Sequence, residues 1–149
     1  MIRIFQYTFT LITIVLLSAC AKEENQNNTI PYASVIIDIQ TQIENEFNNP
    51  FYSKSYPNAG YGGVIAISSN LLDLSVMNIF AYDMCCPYEA PQKNKIQQIL
   101  DNRLHAQCPK CKTVYNIANG TGKVISGPGT QSLKSYRVMR EGYLFRVRN

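Results

Sequence analysis

Short apolar segments with period-two alternation, separated by turn residues, dominate the chain. Val76 to Asp83 sets Val76, Asn78, Phe80 and Tyr82 on one face and Met77, Ile79 and Ala81 on the other. Both faces are largely apolar, so this reads as an interior strand. Ser34–Ile39 and Val64–Ser68 are β-branched and read as strands too. Between them, Ile43 and Phe47 lie at helical spacing within 41–49, and Asn48-Asn49-Pro50 ends that turn because the residue before a proline is pushed out of the helical region. Phe51 to Gly63 mixes Phe51, Tyr52, Tyr56 and Tyr61 with Pro57 and three glycines, which predicts a loop pinned by its rings. Residues 95–107 fit either a helical stripe or a hairpin turning at Asp101-Asn102-Arg103. Thr113–Ile117, Lys123–Ile125, Ser135–Arg140 and Tyr143–Arg148 complete a set of short strands. About seven to nine such strands, with turns at this spacing, predict an all-β antiparallel sandwich or small barrel.

The amino terminus does not fit that pattern. Met1-Ile2-Arg3 is a basic start, Leu11 to Leu17 is apolar, and Leu17-Ser18-Ala19-Cys20 ends on a cysteine. The apolar run is too short to cross a bilayer and reads as a secretory signal. Its end resembles a bacterial lipobox, which implies that Cys20 is acylated and inserts in a lipid bilayer. Ala21-Lys22-Glu23-Glu24 is similar to a surface-export signal of Bacteroidetes lipoproteins, so the expected location is the cell envelope, on an outer membrane. The expected organisation is a signal at 1–19, a lipidated tether at 20–33 and one β-domain at 34–149. The remaining ~120 residues suffice for one core.

Charge adds an asymmetry. Residues 20–101 hold four Lys/Arg against nine Asp/Glu, and residues 102–149 hold nine Lys/Arg against Glu141 alone. That asymmetry would suit the steering of an acidic partner or an anionic surface toward one side, but the simpler account is a set of strands whose basic residues solvate an outer face. Interleaved Tyr136-Arg137 and Phe145-Arg146 imitate a nucleic-acid surface, but an exported lipoprotein has no nucleic acid to meet.

The chemistry concentrates between Met84 and Pro128. Cys85-Cys86-Pro87-Tyr88 and Cys108-Pro109-Lys110-Cys111 are two cysteine–proline turns, followed by Thr113, Tyr115 and Ser126-Gly127-Pro128. A Cys-x-x-Cys turn brings two thiolates to one point. From about Gly63 to Val147 the pattern resembles the Rieske-type iron–sulfur fold, in which one loop reads Cys-x-His and the other Cys-x-x-His. The resemblance implies a small antiparallel β-sandwich or barrel with a two-loop cluster-binding subdomain, and it decides for the hairpin within 95–107. Carried over by position, Cys86 and Cys108 match the two cysteines, while Tyr88 and Cys111 stand in the two histidine positions. Thr113 matches the hydroxyl residue that bonds the cluster, Tyr115 the aromatic, and Asn116 replaces an aspartate. Gly127-Pro128, Leu133 and Tyr136-Arg137-Val138 match the ending.

His105 is the only histidine, so an iron held by two histidines is excluded within one chain. By spacing it reads as a strand residue. Three readings of the cysteines stay open. A 2Fe–2S cluster would use Cys86, Cys108, Cys111 and either Cys85 or Tyr88, at a potential below that of a two-histidine centre. A structural zinc would suit four thiolates. Disulfides would suit an exported domain, with adjacent Cys85 and Cys86 taking different partners. The leader carries only Arg3, which does not mark a folded-protein export route. No Cys–His nucleophile pair is marked, and Gly120-Thr121-Gly122 is too brief to cradle a phosphate. The resemblance therefore implies a membrane-anchored one-electron carrier with a redox partner protein and no catalysis of its own. The alternative is a module of the same fold without a cluster, serving in structure or binding.

Overall fold

The computed structural model describes residues 29–73 and 76–149, so the expected leader, the Cys20 lipidation site and most of the tether lie outside the described residues. The strands are β1 (Ile36–Gln40), β2 (Ser53–Tyr56), β3 (Val64–Ser69), β4 (Asn78–Asp83), β5 (Gln97–Ile99), β6 (Asn102–Gln107), β7 (Val114–Asn116), β8 (Val124–Ser126), β9 (Ser135–Glu141) and β10 (Leu144–Arg148). Short 3-10 turns occupy Asn45–Asn48 and Pro87–Glu89. A six-stranded sheet runs β1-β10-β9-β4-β3-β2 and a four-stranded sheet runs β5-β6-β7-β8. Among the described residues every strand pairing is antiparallel, in keeping with the all-β antiparallel expectation. Among the described residues no helix is long and apolar enough to cross a membrane.

The larger sheet curls. Its two edge strands approach each other, since Ile37 and Ile39 of β1 pack in one cluster with Val64 and Ala66 of β3, and the Gly60 N–H donates to Ser34 O at 3.4 Å. Phe47, Phe145 and Val147 fill the inside of this half-barrel. Strands β3 and β4 are buried on both faces, which their doubly apolar sequence requires. Val64, Ala66, Ile79 and Ala81 face the half-barrel, while Ile65, Ile67 and Tyr82 face a second core shared with the smaller sheet. Fully burying side chains of this size stabilises by about 1.5–3 kcal/mol each. That second core also takes in Cys86, Cys108, Tyr115, Ile96 and Ile117, so the cysteine loops are part of the packing.

Two expectations are adjusted. Residues 51–63 are not all loop, because Ser53–Tyr56 forms an edge strand on β3, with Ser53 opposite Ile67 and Tyr56 opposite Val64. An edge strand tolerates polar residues such as Ser53, Lys54 and Ser55, and so it leaves little apolar alternation to read. The domain also begins before residue 34. Ile30 is buried, the Thr29 hydroxyl donates to Pro87 O at 3.1 Å, and Lys134 Nζ donates to Pro31 O at 2.9 Å. Residues 95–107 are the β5–β6 hairpin, with a register shift between Gln98 and Ile99 that accommodates the turn.

Asp83 ends β4 and is fully buried. Its carboxylate accepts the N–H groups of Tyr61 (2.7 Å), Gly62 (3.0 Å) and Cys85 (2.8 Å) and the Tyr136 hydroxyl (2.6 Å). Four donors compensate the desolvation of this charge. They also fasten residues 60–62, the entry to the first cysteine loop and β9 to one point. Gly62 is required there, because a Cβ would lie 2.6 Å from Cys85 Cβ and N. An amide in place of the carboxylate would turn its NH₂ toward these donors. Asp83→Asn is therefore expected to lose about 2–4 kcal/mol of unfolding free energy in urea titrations, and Tyr136→Phe about 1–2 kcal/mol. Equal, near-zero losses would show that the carboxylate does not fasten the three segments.

Candidate metal centre

The first cysteine loop leaves β4 in extended conformation. Met84 N–H donates to Gly63 O at 2.8 Å, Ile96 N–H to Met84 O at 2.8 Å and Cys86 N–H to Asn94 O at 2.9 Å. A β-bridge between Cys85 and Lys95 closes the base of the excursion. Pro87 starts the 3-10 turn, where its fixed φ and missing N–H cost nothing, and Glu89 N–H returns to Cys86 O at 3.1 Å. Neighbouring residues on an extended chain point to opposite sides. Hence Cys86 enters the second core, while Cys85 sits against Gly62 and Asp83.

The second loop joins β6 to β7. Cys108 N–H donates to Thr113 O and Lys112 N–H donates to Cys108 O, both at 3.0 Å. Lys112 takes a left-handed φ of 64°, which turns the chain back and brings Cys111 over Cys108. The Gly127–Gly129 turn closes from the other side. Gly129 N–H donates to Thr113 Oγ1 at 3.0 Å, and Gly127 lies so close that a Cβ would meet Thr113 Cα at 2.6 Å. The two loops are then tied tip to tip, since Lys110 Nζ is 2.8 Å from Glu89 Oε2 and donates to Gln92 Oε1 at 2.6 Å.

This framework brings the Sγ atoms of Cys86, Cys108 and Cys111 within 4.8 Å of one another. Cys86 Sγ and Cys111 Sγ are 3.7 Å apart, and all four described cysteines are free thiols. With metal–sulfur bonds of about 2.3 Å, thiolates on one tetrahedral ion stand about 3.8 Å apart. The set therefore fits a thiophilic metal by spacing and by donor type, with three donors supplied. Cys86 and Cys108 are buried and Cys111 is half-buried, which gives the group one side toward solvent.

Of the other candidates, Cys85 is outside this group, its Sγ lying 3.8 Å from Cys86 O. Tyr88 is 55% exposed at the rim, and its backbone N–H, like that of Glu89, bears on the Cys86 thiol. Thr113 is placed to act on them: its Oγ1 is 3.2 Å from Cys111 Sγ, and because it accepts the Gly129 N–H it keeps a proton to donate to an ionised sulfur. Tyr115 Oη lies 3.2 Å from Cys86 Sγ. His105 is a half-buried β6 residue whose Nδ1 meets Asn102 Nδ2 at 3.1 Å, as a strand histidine would. Asp83, Glu89, Gln92 and Lys110 escape a motif reading, since nothing in a Cys-x-x-Cys pattern points to the groups that hold it.

The environments of the thiols differ. Burial pushes Cys86 up to about 12. Burial, then the Asp83 charge, pushes Cys85 up to about 11. Burial acts upward on Cys111 as well, but the Thr113 hydroxyl and N–H and the two neighbouring thiols outweigh it and hold this thiol below its ordinary value. Tyr115 is pushed up by burial and by its bond to Cys86, and it stays a protonated donor beside the sulfurs.

No family model matches the chain, and no curated protein matches it. Among solved structures it is similar to a ferredoxin of Sphingomonas yanoikuyae B1, with a TM-score of 0.37 and 19% identity over 57% of this chain and 74% of that one.

Two outcomes follow for metal-free protein. Cys111 is the one partly accessible thiol of the four, so alkylation reports on it. Thr113→Val should move the midpoint of its pH–rate curve upward, and an unchanged midpoint would show that the hydroxyl does not act on the sulfur. Cys85 binds its proton more tightly folded than at the ordinary value of 9.0, so its contribution to stability is present below that pH and is lost as pH rises toward about 11. Cys85→Ser should flatten this part of the alkaline stability profile, which pH-dependent urea titrations read directly.

Proposed function

We propose that this chain is a Rieske-like metalloprotein that carries single electrons on a thiolate-bound iron–sulfur centre. The observation that carries the reading is the convergence of Cys86, Cys108 and Cys111 from two facing loops, with only Cys111 reaching toward solvent. It agrees with the motif resemblance, which assigns one cysteine of each loop to the centre. When bound, such a centre supplies reversible one-electron chemistry at a potential lowered by anionic ligands. The chain does the rest. Ile65, Ile67, Ile96 and Leu133 wall the buried side from water, and Thr113 and Tyr115 aim hydroxyl donors at the sulfurs. Donors of this kind stabilise negative charge on thiolates and tune the group they hold.

A second reading has its own observation. All three sulfurs surround one point at a spacing close to that of a single tetrahedral ion, and a binuclear cluster would spread its thiolates over two irons. A structural zinc or other single ion thus competes with a cluster. The membrane anchor through Cys20 and a place in the cell envelope belong to the proposal on the strength of the leader alone.

The test is the full chain as purified, assayed for iron, acid-labile sulfide and zinc alongside its visible spectrum and the EPR signal of the reduced form. Coloured protein with iron and sulfide in equal amounts, bleached by Cys86→Ser, Cys108→Ser or Cys111→Ser and unaffected by Cys85→Ser or His105→Ala, is the expected result. Colourless protein with one zinc would replace the carrier by a structural site. Loss of colour in His105→Ala would overturn the ligand assignment.

A further inference from the structure

The two cysteine loops carry four lysines, Lys93, Lys95, Lys110 and Lys112, all exposed, and a single carboxylate, Glu89. Their contacts show where they lie. Lys112 follows Cys111 in the chain, and Lys110 lies between the two cysteines of its turn and donates to Gln92, next to Lys93. Lys95, bridged to Cys85, reaches toward Gly63 on the outer side of the first loop. Lys93 Nζ rests 4.3 Å from the centroid of the Tyr61 ring. Glu89 does not offset them outwardly, since its side chain is only 11% exposed and is taken by Lys110. Asp83 is buried among four donors. Among the described residues Lys93, Lys95 and Lys112 have no carboxylate partner. Two of the outer arginines differ, Arg146 being paired with Glu141 and Arg148 with Asp38. Beside the lysines Tyr88 projects its ring into solvent, an aromatic of the kind that anchors protein contacts.

We propose that this lysine-rimmed mouth is the docking surface for a protein partner with an acidic face, seated over Cys111 and against Tyr88. The charge that faces outward is of one sign, and fields of one sign steer association with partners of the other. The proposal rests on the carrier reading for what passes across the contact, a single electron between the centre and the partner's own redox group. Its surface chemistry does not depend on that reading.

The probe is fluorescently labelled poly-glutamate, titrated into the full chain as purified and followed by anisotropy. Binding should weaken at least tenfold between low and high salt and fall at least tenfold in Lys93→Glu/Lys95→Glu/Lys112→Glu, while Arg137→Glu changes it less than twofold. Tyr88→Ala should weaken it without altering its salt dependence. Location is read on metal-free full chain, where poly-glutamate should slow alkylation of Cys111 in the wild type and not in the triple lysine variant. Absence of binding, or binding lost with Arg137 and kept without the lysines, overturns the proposal. So does protection of Cys111 by vesicles of anionic phosphatidylglycerol with none by poly-glutamate, which would make the mouth a lipid-facing surface. A colourless, metal-free preparation that still passes these measurements would sink the carrier reading and leave the docking surface standing.

Discussion

Three thiols drawn from two loops and packed within reach of one another are the arrangement on which the rest of this molecule turns. Sulfurs at 3.7 Å are in contact, and two of the three cysteines are buried. Neutral, they behave as small apolar groups at the edge of a core. Ionised without a cation, they would repel one another in a region of low polarity. The site thus accepts either protonated thiols or a metal that replaces the protons, and metal affinity is linked to pH for that reason. Cys111 is the member on which the balance shifts most easily, because Thr113 and the neighbouring sulfurs already favour its charge.

The scaffold pays for this convergence with backbone order rather than with covalent bonds. Each loop is closed by its own main-chain hydrogen bonds, and each rests on something rigid. The first follows β4, a strand buried on both faces and fastened at its end by Asp83. The second is braced by the Gly127–Gly129 turn against Thr113, and Lys110 crosses to Glu89 and Gln92 to hold the tips together. An exposed lysine–glutamate pair contributes little on its own. Here Glu89 is largely covered and a second acceptor is shared, so the contact fixes which way the loops face.

Much of this was legible in the amino-acid sequence, and the exceptions have a common cause. Strand β4 announced itself by apolar residues on both faces, whereas residues 95–107 fitted a helical stripe as well as a hairpin and only the resemblance chose the hairpin. The pairing of the two cysteine–proline turns followed from the resemblance. Strand β2 was missed because an edge strand of Ser53, Lys54 and Ser55 has no apolar alternation to detect. The difference between Cys85 and Cys86 was invisible for another reason, since one step along an extended chain reverses a side chain and a motif does not state the register. Asp83 and Lys110 act through partners far away in sequence, and only the folded chain brings these together.

The central claim concerns sulfur around a single site, and X-ray absorption at the metal edge of the loaded protein reads that directly. The expected result is a first shell with three or more sulfur neighbours at about 2.3 Å, lost together with the metal in Cys108→Ser and unchanged in Cys85→Ser. A first shell made of oxygen and nitrogen, or sulfur counts that do not respond to Cys86, Cys108 or Cys111, would contradict it.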